Sequence, residues 1–269
     1  MVTGATLLTG AGLVGYTTQI EPHWLEFVRR PLRIANLPPA LNGATLMQIS
    51  DLHVCDYVDE SYLMGTLDRA RAFSPDIVVF TGDFVTWERT ALTQLDRVLS
   101  HFPTGKLATL AILGNHDYGY TWKDPRVAAK IVPVVSRRGI RVLRNETATV
   151  AGLDVVGIDD LWSGRADTKP ALAQRESAAA IALCHNPDGL DTLSWAGYSG
   201  WVLAGHTHGG QCKPPFLPPP MLPVQNRRYT AGEIRVDAER TLYINRGVGH
   251  LLKARFNARP EITLFTLTI

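Results

Sequence analysis

The sequence predicts an α/β fold in which two mixed β-sheets pack face to face and are flanked by helices. In the first half of the chain, short apolar segments alternate with longer amphipathic ones, which is typical of a parallel sheet covered on both faces. The second half holds mostly short segments rich in Val and Ile, which favour strands. A chain of 269 residues, 45% of them hydrophobic, can bury a core between two such layers.

Strands and helices alternate in the first half. The strands are predicted over residues 45–50, 76–81 and 107–113, and the helices over residues 61–73, 86–101 and 125–138. The third helix has clear ends, because Asp124 is an N-cap residue, Pro125 suits the first turn and Gly139 is a stop signal. This order predicts parallel pairing of the three strands.

The second half contains seven extended segments. They lie at residues 141–143, 153–158, 179–183, 201–204, 233–236, 242–245 and 261–268. Lys213–Pro223 carries six prolines, which excludes a helix or a central strand and predicts a loop. The loop also holds Phe216, Leu217, Met221 and Leu222, which either touch an apolar substrate or a membrane, or pack on the core.

The chain is predicted to hold a leader, residues 1–39, and one domain, residues 40–269. The polar motifs described below spread from residue 51 to residue 208, so a boundary between them would divide one site. Residues 1–20 carry no charge, but glycine and threonine dilute their apolar content and no basic residue precedes them. The leader is interpreted either as the remnant of a membrane or export segment or as a soluble extension.

The charge balance excludes strong general attraction to polyanions. The 27 basic and 25 acidic residues give a net charge of +2, so no nucleic-acid partner is expected, and an anionic substrate must be attracted locally. The three cysteines, Cys55, Cys184 and Cys212, imply no disulfide framework and are expected to be small packed residues.

Five polar motifs each close an apolar predicted strand. They are Asp51-Leu52-His53, Gly82-Asp83, Gly114-Asn115-His116-Asp117, His185 and Gly205-His206-Thr207-His208-Gly209-Gly210. Strand ends at one edge of a sheet can bring such side chains together. Mixed nitrogen and oxygen ligands suit Mn, Fe or Zn, and a carboxylate such as that of Asp83 can bridge two cations. Five of the eight histidines fall in these motifs, so a metal-dependent hydrolase is the leading hypothesis.

The ordered motifs resemble the signature of the calcineurin-like metallophosphoesterase superfamily: D-x-H, G-D, G-N-H-[DE], a lone His and G-H-x-H. The resemblance covers residues 45–250 and implies the two-sheet fold of that superfamily and a phosphoric ester hydrolase. The leader, the sequence GHTHGGQ and Asn245-Arg246-Gly247 look most similar to a bacterial branch of membrane-associated or exported phosphodiesterases.

The resemblance also implies a site with two divalent metal ions, Mn, Fe or Zn. One would be held by Asp51, His53, Asp83 and His208, and the other by Asp83, Asn115, His185 and His206. A hydroxide between the metals would attack a phosphomonoester, phosphodiester or pyrophosphate. His116 would act as the general acid, and Asp117 would orient it and keep it protonated.

The sequence leaves the substrate and the location open. The resemblance, the uncharged leader and the apolar loop favour a lipid-linked substrate such as UDP-2,3-diacylglucosamine and a membrane-associated or exported protein. A soluble phosphodiester or nucleotide and a cytoplasmic location are the alternatives. The competing class is a non-catalytic interaction scaffold with the same fold; such scaffolds usually lose ligands, whereas all seven ligand positions and His116 are present here.

Overall fold

The computed structural model describes residues 10–86 and 91–269. In this part of the chain twelve strands form two six-stranded sheets. The strands are β1 Glu26–Arg33, β2 Thr45–Ile49, β3 Ile77–Thr81, β4 Ala108–Ile112, β5 Arg141–Val142, β6 Glu146–Val150, β7 Leu153–Gly157, β8 Ala180–Leu183, β9 Gly200–Ala204, β10 Gly232–Arg235, β11 Arg240–Ile244 and β12 Glu261–Thr268. The α-helices are α1 Glu60–Arg71, α2 Ala91–Leu99, α3 Pro125–Arg137, α4 Thr168–Ala173 and α5 Gly189–Thr192.

Both sheets have a parallel centre. The first has the order β1-β12-β2-β3-β4-β5, in which β2 to β5 are parallel and β12 runs antiparallel to β2. The second has the order β10-β11-β9-β8-β7-β6, in which β7, β8, β9 and β11 are parallel. The five polar motifs follow β2, β3, β4, β8 and β9, so they all lie at the carboxyl ends of parallel strands.

The hydrophobic core is layered, which confirms the predicted two-sheet sandwich flanked by helices. All five residues of β3 are buried, and their side chains alternate between two cores. Val79 packs between the sheets against residues such as Leu183, whereas Val78 and Phe80 face the helices on the outer side of the first sheet. A third cluster, which includes Val202, covers the outer side of the second sheet.

The predicted helices form where their caps indicate. The Asp124 side chain accepts a hydrogen bond from the backbone N–H of Arg126 at the start of α3, and Gly139 follows the helix with a φ of 77°. The helix predicted from residue 61 begins one residue earlier, because Asp59 caps it through the N–H groups of Ser61 and Tyr62. Of the helix predicted over residues 86–101, α2 covers residues 91–99, and residues 87–90 lie outside the described part.

Two strands were not predicted. β1 contains three arginines and Pro31, which obscure an alternating pattern, but it is an edge strand, where proline is tolerated. It pairs in parallel with β12, so the first sheet extends upstream of the predicted boundary at residue 39. β6 is also an edge strand and pairs with β7 despite its polar residues.

Part of the predicted leader packs on the domain. Residues 10–15 are helical and continue into a π-helical turn, Tyr16–Ile20. The backbone N–H of Arg255 donates to the Thr17 carbonyl oxygen at 2.8 Å, and that of Ala258 donates to Glu21 Oε1 at 2.7 Å. Among the described residues, no helix has the length and apolar content needed to cross a membrane. The division into leader and domain stays a prediction.

Candidate active site

The structure brings all nine predicted site residues together at one edge of the two sheets. Each is buried, and none is more than 6% exposed. They are Asp51, His53, Asp83, Asn115, His116, Asp117, His185, His206 and His208. Such burial of charged and polar groups requires partners, and the partners here are mainly one another.

The backbone turns sharply at these positions. Asp51 and His53 have φ angles of 52° and 48°, in the left-handed region, so the chain does not stay extended after β2. Asp83, His206 and His208 also have positive φ, from 50° to 72°. Each such conformation costs about 1–3 kcal/mol for a non-glycine residue and is typical of functional sites. Hydrogen bonds between loops hold the turns, such as that from Asp51 N–H to the Gly82 carbonyl oxygen at 2.9 Å.

One group of donor atoms comes from Asp51, His53 and His208. His208 Nε2 lies 3.4 Å from Asp51 Oδ1, and His53 Nε2 lies 3.8 Å from the same oxygen. The two imidazole Nε2 atoms are 3.0 Å apart. These three residues can therefore direct their ligand atoms at one point, which is the geometry of a metal site.

A second group comes from Asp83, His185, His206 and Asn115. His185 Nε2 lies 3.2 Å from Asp83 Oδ2, 3.2 Å from His206 Nδ1 and 3.3 Å from Asn115 Oδ1. Nitrogen and oxygen atoms that can bind a metal ion thus converge on one small volume. This donor set fits a divalent transition metal ion.

Asp83 lies between the two groups. Its Oδ2 is 3.5 Å from His53 Nε2 as well as 3.2 Å from His185 Nε2, while its Oδ1 accepts the backbone N–H of His116 at 2.9 Å. One carboxylate oxygen therefore faces both sets of imidazoles, and the other holds the Gly114 to Asp117 turn. This is the position that the sequence motifs predict for a bridging ligand.

The electrostatics favour a cation here. Burial alone would raise the pKa of Asp51, but His208 holds it at about 2, and imidazoles led by His185 hold the pKa of Asp83 well below its usual range. Burial would lower the pKa of His185, but Asp83 raises it to about 10. The carboxylates are thus ionised, and their negative charge stabilises the protonated His185 imidazole and would equally attract a metal ion.

Backbone carbonyls fix two of the imidazoles. His185 Nδ1 donates to the Thr81 carbonyl oxygen at 2.7 Å, so its Nε2 faces the cluster. His206 Nε2 contacts the Pro223 carbonyl oxygen at 2.8 Å, so its Nδ1 faces His185. Pro223 is the last residue of the proline-rich loop, and this contact links that loop to the site.

His116 lies beside a histidine ring of the site, whereas Asp117 is surrounded by backbone N–H groups. The His116 ring lies 5.0 Å from that of His53, edge to face, and burial lowers the pKa of its imidazole. Each carboxylate oxygen of Asp117 accepts two backbone hydrogen bonds: Oδ1 from Phe84 and Val85, and Oδ2 from Asp83 and Gly114. Asp117 therefore holds the Asp83 turn against the Gly114 turn, and its effect on His116 protonation stays a prediction.

Two glycines of the motifs are required by close packing. A Cβ atom at Gly114 would overlap the Asp83 carboxylate, and one at Gly205 would overlap the Ser50 and Asp51 side chains. The glycines therefore let neighbouring strand ends approach closely enough for the donor groups to meet.

Sequence reasoning missed a buried arginine and two tryptophans beside the site. Arg255 is fully buried, donates to the carbonyl oxygens of residues 246, 247, 249 and 258, and has its Nη2 3.3 Å from His208 Nδ1. Trp162 meets the His206 ring edge to face at 4.6 Å, and Trp122 lies 6.1 Å from the His116 ring. Nothing in the sequence pattern marks these residues, because they come from loops outside the motifs.

An apolar cavity of about 620 Å³ opens beside His206 and His208. The proline-rich loop forms part of its wall, and a second loop near residue 251 forms another. Its apolar lining residues are Pro220, Met221, Leu222, Pro223, Leu251 and Leu252. Met221 is 72% exposed and Leu252 is 62% exposed, so these side chains do not pack on the core.

The fold and the ordered ligands define a class of protein, and the similarity of the sequence to known proteins indicates the same class. The family model for calcineurin-like phosphoesterases matches residues 44–210, more than half of the chain. The chain belongs to that family and is a metal-dependent phosphoester hydrolase. The residues that an inactive scaffold would usually lose are present and converge, which favours the enzyme over the scaffold.

Three relatives match along nearly their whole length. The chain is 32% identical to phosphodiesterase YaeI of Escherichia coli (strain K12), covering 98% of this chain and 96% of the relative. It is 33% identical to the uncharacterized metallophosphoesterase YkuE of Bacillus subtilis (strain 168), covering 98% and 92%. It is 26% identical to the UDP-2,3-diacylglucosamine pyrophosphatase LpxG of Chlamydia muridarum (strain MoPn / Nigg), covering 93% and 91%. These relatives support the predicted bacterial branch.

Proposed function

We propose that the protein hydrolyses phosphodiester or pyrophosphate bonds in lipid-linked substrates, using two divalent metal ions, Mn, Fe or Zn. Asp51, His53, Asp83 and His208 would hold one ion. Asp83, Asn115, His185 and His206 would hold the other. The observation that carries the proposal is Asp83 Oδ2, which faces the imidazoles of both groups within 3.5 Å. Bound there, the ions would neutralise the phosphate ester and supply a nucleophile from water at neutral pH.

The protein's own residues would position this chemistry. The carbonyl oxygens of Thr81 and Pro223 keep the His185 and His206 rings in the orientation that presents one nitrogen to the site. Asp117 keeps the Asp83 and Gly114 turns in register through its four backbone hydrogen bonds. The donor atoms are therefore held before any ligand binds, which limits the cost of ordering them.

His116 would donate the proton to the leaving oxygen. Burial lowers the pKa of its imidazole in the free protein, so protonation has to be favoured by the substrate. An anionic phosphate beside the ring has that effect, since a neighbouring negative charge stabilises the imidazolium. The proton would then be held mainly in the presence of substrate, at the leaving group where it is needed.

The apolar cavity supports a lipid-linked substrate. It touches His206 and His208, so an acyl chain attached near the phosphate could enter it while the phosphate remains at the site. The relative named UDP-2,3-diacylglucosamine pyrophosphatase supports the same class. Exposed apolar residues at this mouth would also suit contact with a bilayer, so we propose that the protein acts at a membrane surface.

The proposal is tested with bis-p-nitrophenyl phosphate and two variants. Asp83→Asn keeps an oxygen acceptor for His116 N–H but removes the charge, and His116→Ala removes the acid. We expect hydrolysis to fall at least about 10²-fold in each. Glu233→Gln is the matched control, because it removes a carboxylate charge from an exposed residue of the edge strand β10. It should keep full activity. Unchanged hydrolysis in both site variants would exclude the proposed mechanism.

The substrate class is tested separately with wild-type protein. Release of the nucleoside monophosphate should be faster from a diacylated sugar nucleotide diphosphate than from the same compound without acyl chains. Equal rates would remove the lipid from the proposal and leave the soluble phosphodiester as the substrate class.

A further inference from the structure

Two tryptophans border the candidate site at a place that the metal chemistry does not use. The rings of Trp122 and Trp162 lie 4.7 Å apart with an interplanar angle of 35°, so they form a tilted stack. Trp162 also meets His206 at 4.6 Å, and Trp122 lies 6.1 Å from His116. The pair therefore joins the proposed acid to a proposed metal ligand along one side of the site.

The backbone holds this pair in place. Trp122 has a φ of 59°, an uncommon conformation for a bulky residue, and its N–H donates to the Gly119 carbonyl oxygen at 2.9 Å. Trp162 lies in a turn closed by the Asp160 side chain, which accepts Ser163 N–H at 2.6 Å. A strained turn and a capped turn both present indole rings beside the site, which points to a function for the rings.

The pair is accessible and is separate from the apolar cavity. Trp122 is 37% exposed although it lies next to a buried histidine. The cavity touches His206 but neither tryptophan is among its lining residues. A phosphodiester or pyrophosphate has two substituents, and the apolar cavity and the tryptophan pair would give each substituent a surface of its own.

We infer that Trp122 and Trp162 form a stacking subsite for a nucleobase attached through its sugar to the reacting phosphate. This inference rests on the proposed function, since the phosphate has to be held at the metal site. Indole faces stack on any base with little sequence preference. An aromatic cage for a quaternary ammonium group would instead surround the cation with rings, whereas these two rings lie against each other in a tilted stack.

Direct binding tests the subsite without relying on turnover. Calorimetry on the full chain loaded with Mn²⁺ would compare UMP, ribose 5-phosphate and phosphocholine. We expect UMP to bind the wild-type protein about tenfold more tightly than ribose 5-phosphate, as one stacked base provides. Trp122→Leu and Trp162→Leu should each reduce that ratio to about twofold or less and leave ribose 5-phosphate affinity unchanged. Trp162→Phe should retain part of the ratio.

Trp24→Leu is the matched control, because Trp24 is half exposed and packs on Arg259 instead of the site. It should keep the full preference for UMP. Equal affinity of the wild-type protein for UMP and ribose 5-phosphate would overturn the inference, as would a preference that survives both leucine variants. Tighter binding of phosphocholine than of UMP would overturn it in favour of a cation site. Retained ribose 5-phosphate binding also reports that each variant is folded.

The two proposals can fail separately. If the wild-type protein does not hydrolyse bis-p-nitrophenyl phosphate but shows the tryptophan-dependent preference for UMP, the proposed function is wrong, and the tryptophans form a nucleotide-binding site without a hydrolytic role. If hydrolysis proceeds and the base adds nothing to binding, the subsite alone is wrong.

Discussion

At the scale of the residue, the site depends on backbone conformations that are costly. Asp51, His53, Asp83, His206 and His208 all have positive φ, and each conformation costs about 1–3 kcal/mol. Contacts of their side chains and the cross-loop hydrogen bonds offset that conformational cost, and these contacts form only when the neighbouring strands hold the loops together. The identity of these residues was predictable from their motifs, whereas their turned backbone was not, because it is imposed by contacts between distant loops.

His250 gives a residue-scale prediction about pH. Its side chain is fully buried, and burial followed by the charge of Arg255 lowers its pKa from 6.5 to about 4. The unfolded chain therefore binds a proton below pH 6.5 that the folded chain does not bind until about pH 4. The contribution of His250 to the free energy of unfolding should be fully present above pH 6.5 and fall, on the order of 3 kcal/mol, as the pH drops towards 4.

His250→Gln isolates this contribution. Glutamine can still donate to the Tyr57 carbonyl oxygen, which His250 Nε2 contacts at 3.3 Å, but it does not titrate. Chemical denaturation at several pH values between 4 and 7.5 should show a shallower loss of stability in the variant. Parallel curves for the two proteins over that range would contradict the assignment.

At the scale of the element, the proline-rich loop joins fold and function. Its last residue, Pro223, orients His206, and its Met221 and Leu222 line the cavity. Six prolines predict a loop here, because they lack backbone donors. The choice between core packing and substrate contact was open in the sequence. Phe216, Leu217 and Met221 are exposed, which favours contact, whereas Leu222 is buried.

The apolar cavity yields a prediction about substrate selectivity. Met221→Ser and Leu252→Ser remove apolar surface from the cavity, and burying such a side chain is worth about 1.5–3 kcal/mol. We expect kcat/KM for a diacylated diphosphate, assayed in detergent micelles, to fall about tenfold or more in each variant. Hydrolysis of bis-p-nitrophenyl phosphate should be unchanged.

Leu217→Ser is the control for this experiment. Leu217 belongs to the same loop and is 61% exposed, but it does not line the cavity. Equal losses of kcat/KM in Leu217→Ser and Met221→Ser would show that the loop acts through general binding to the micelle surface. That result would contradict a substrate role for the cavity.

The predictability of the elements follows from how each one is buried. β3 is buried on both faces and its apolar run is plain in the sequence. β1 escaped prediction because it is an edge strand with Pro31 and arginines, and its place is fixed by pairing with β12 more than 200 residues later. Arg255 was not predicted as a site residue for a similar reason, because its contact with His208 exists only in the folded chain.

At the scale of the whole molecule, the site joins the two sheets. Its donor groups come from the ends of β2, β3 and β4 in the first sheet and of β8 and β9 in the second. Bound ions should therefore stabilise the sandwich as a unit, by about 2.7 kcal/mol per site at a hundredfold excess over Kd. Chelation of the loaded protein should lower its thermal midpoint by several degrees, as scanning calorimetry would show. A midpoint unchanged by chelation would contradict this coupling.

Two ions that share Asp83 are the central claim, and metal content tests it most directly. Wild-type protein and Asp83→Asn would be loaded with Mn²⁺, desalted and measured by elemental analysis, with circular dichroism to confirm that both are folded. We predict two ions per chain in the wild-type protein and fewer than one in the variant, since both sites lose the shared carboxylate. Two ions retained by Asp83→Asn, or fewer than two in the wild-type protein, would contradict it.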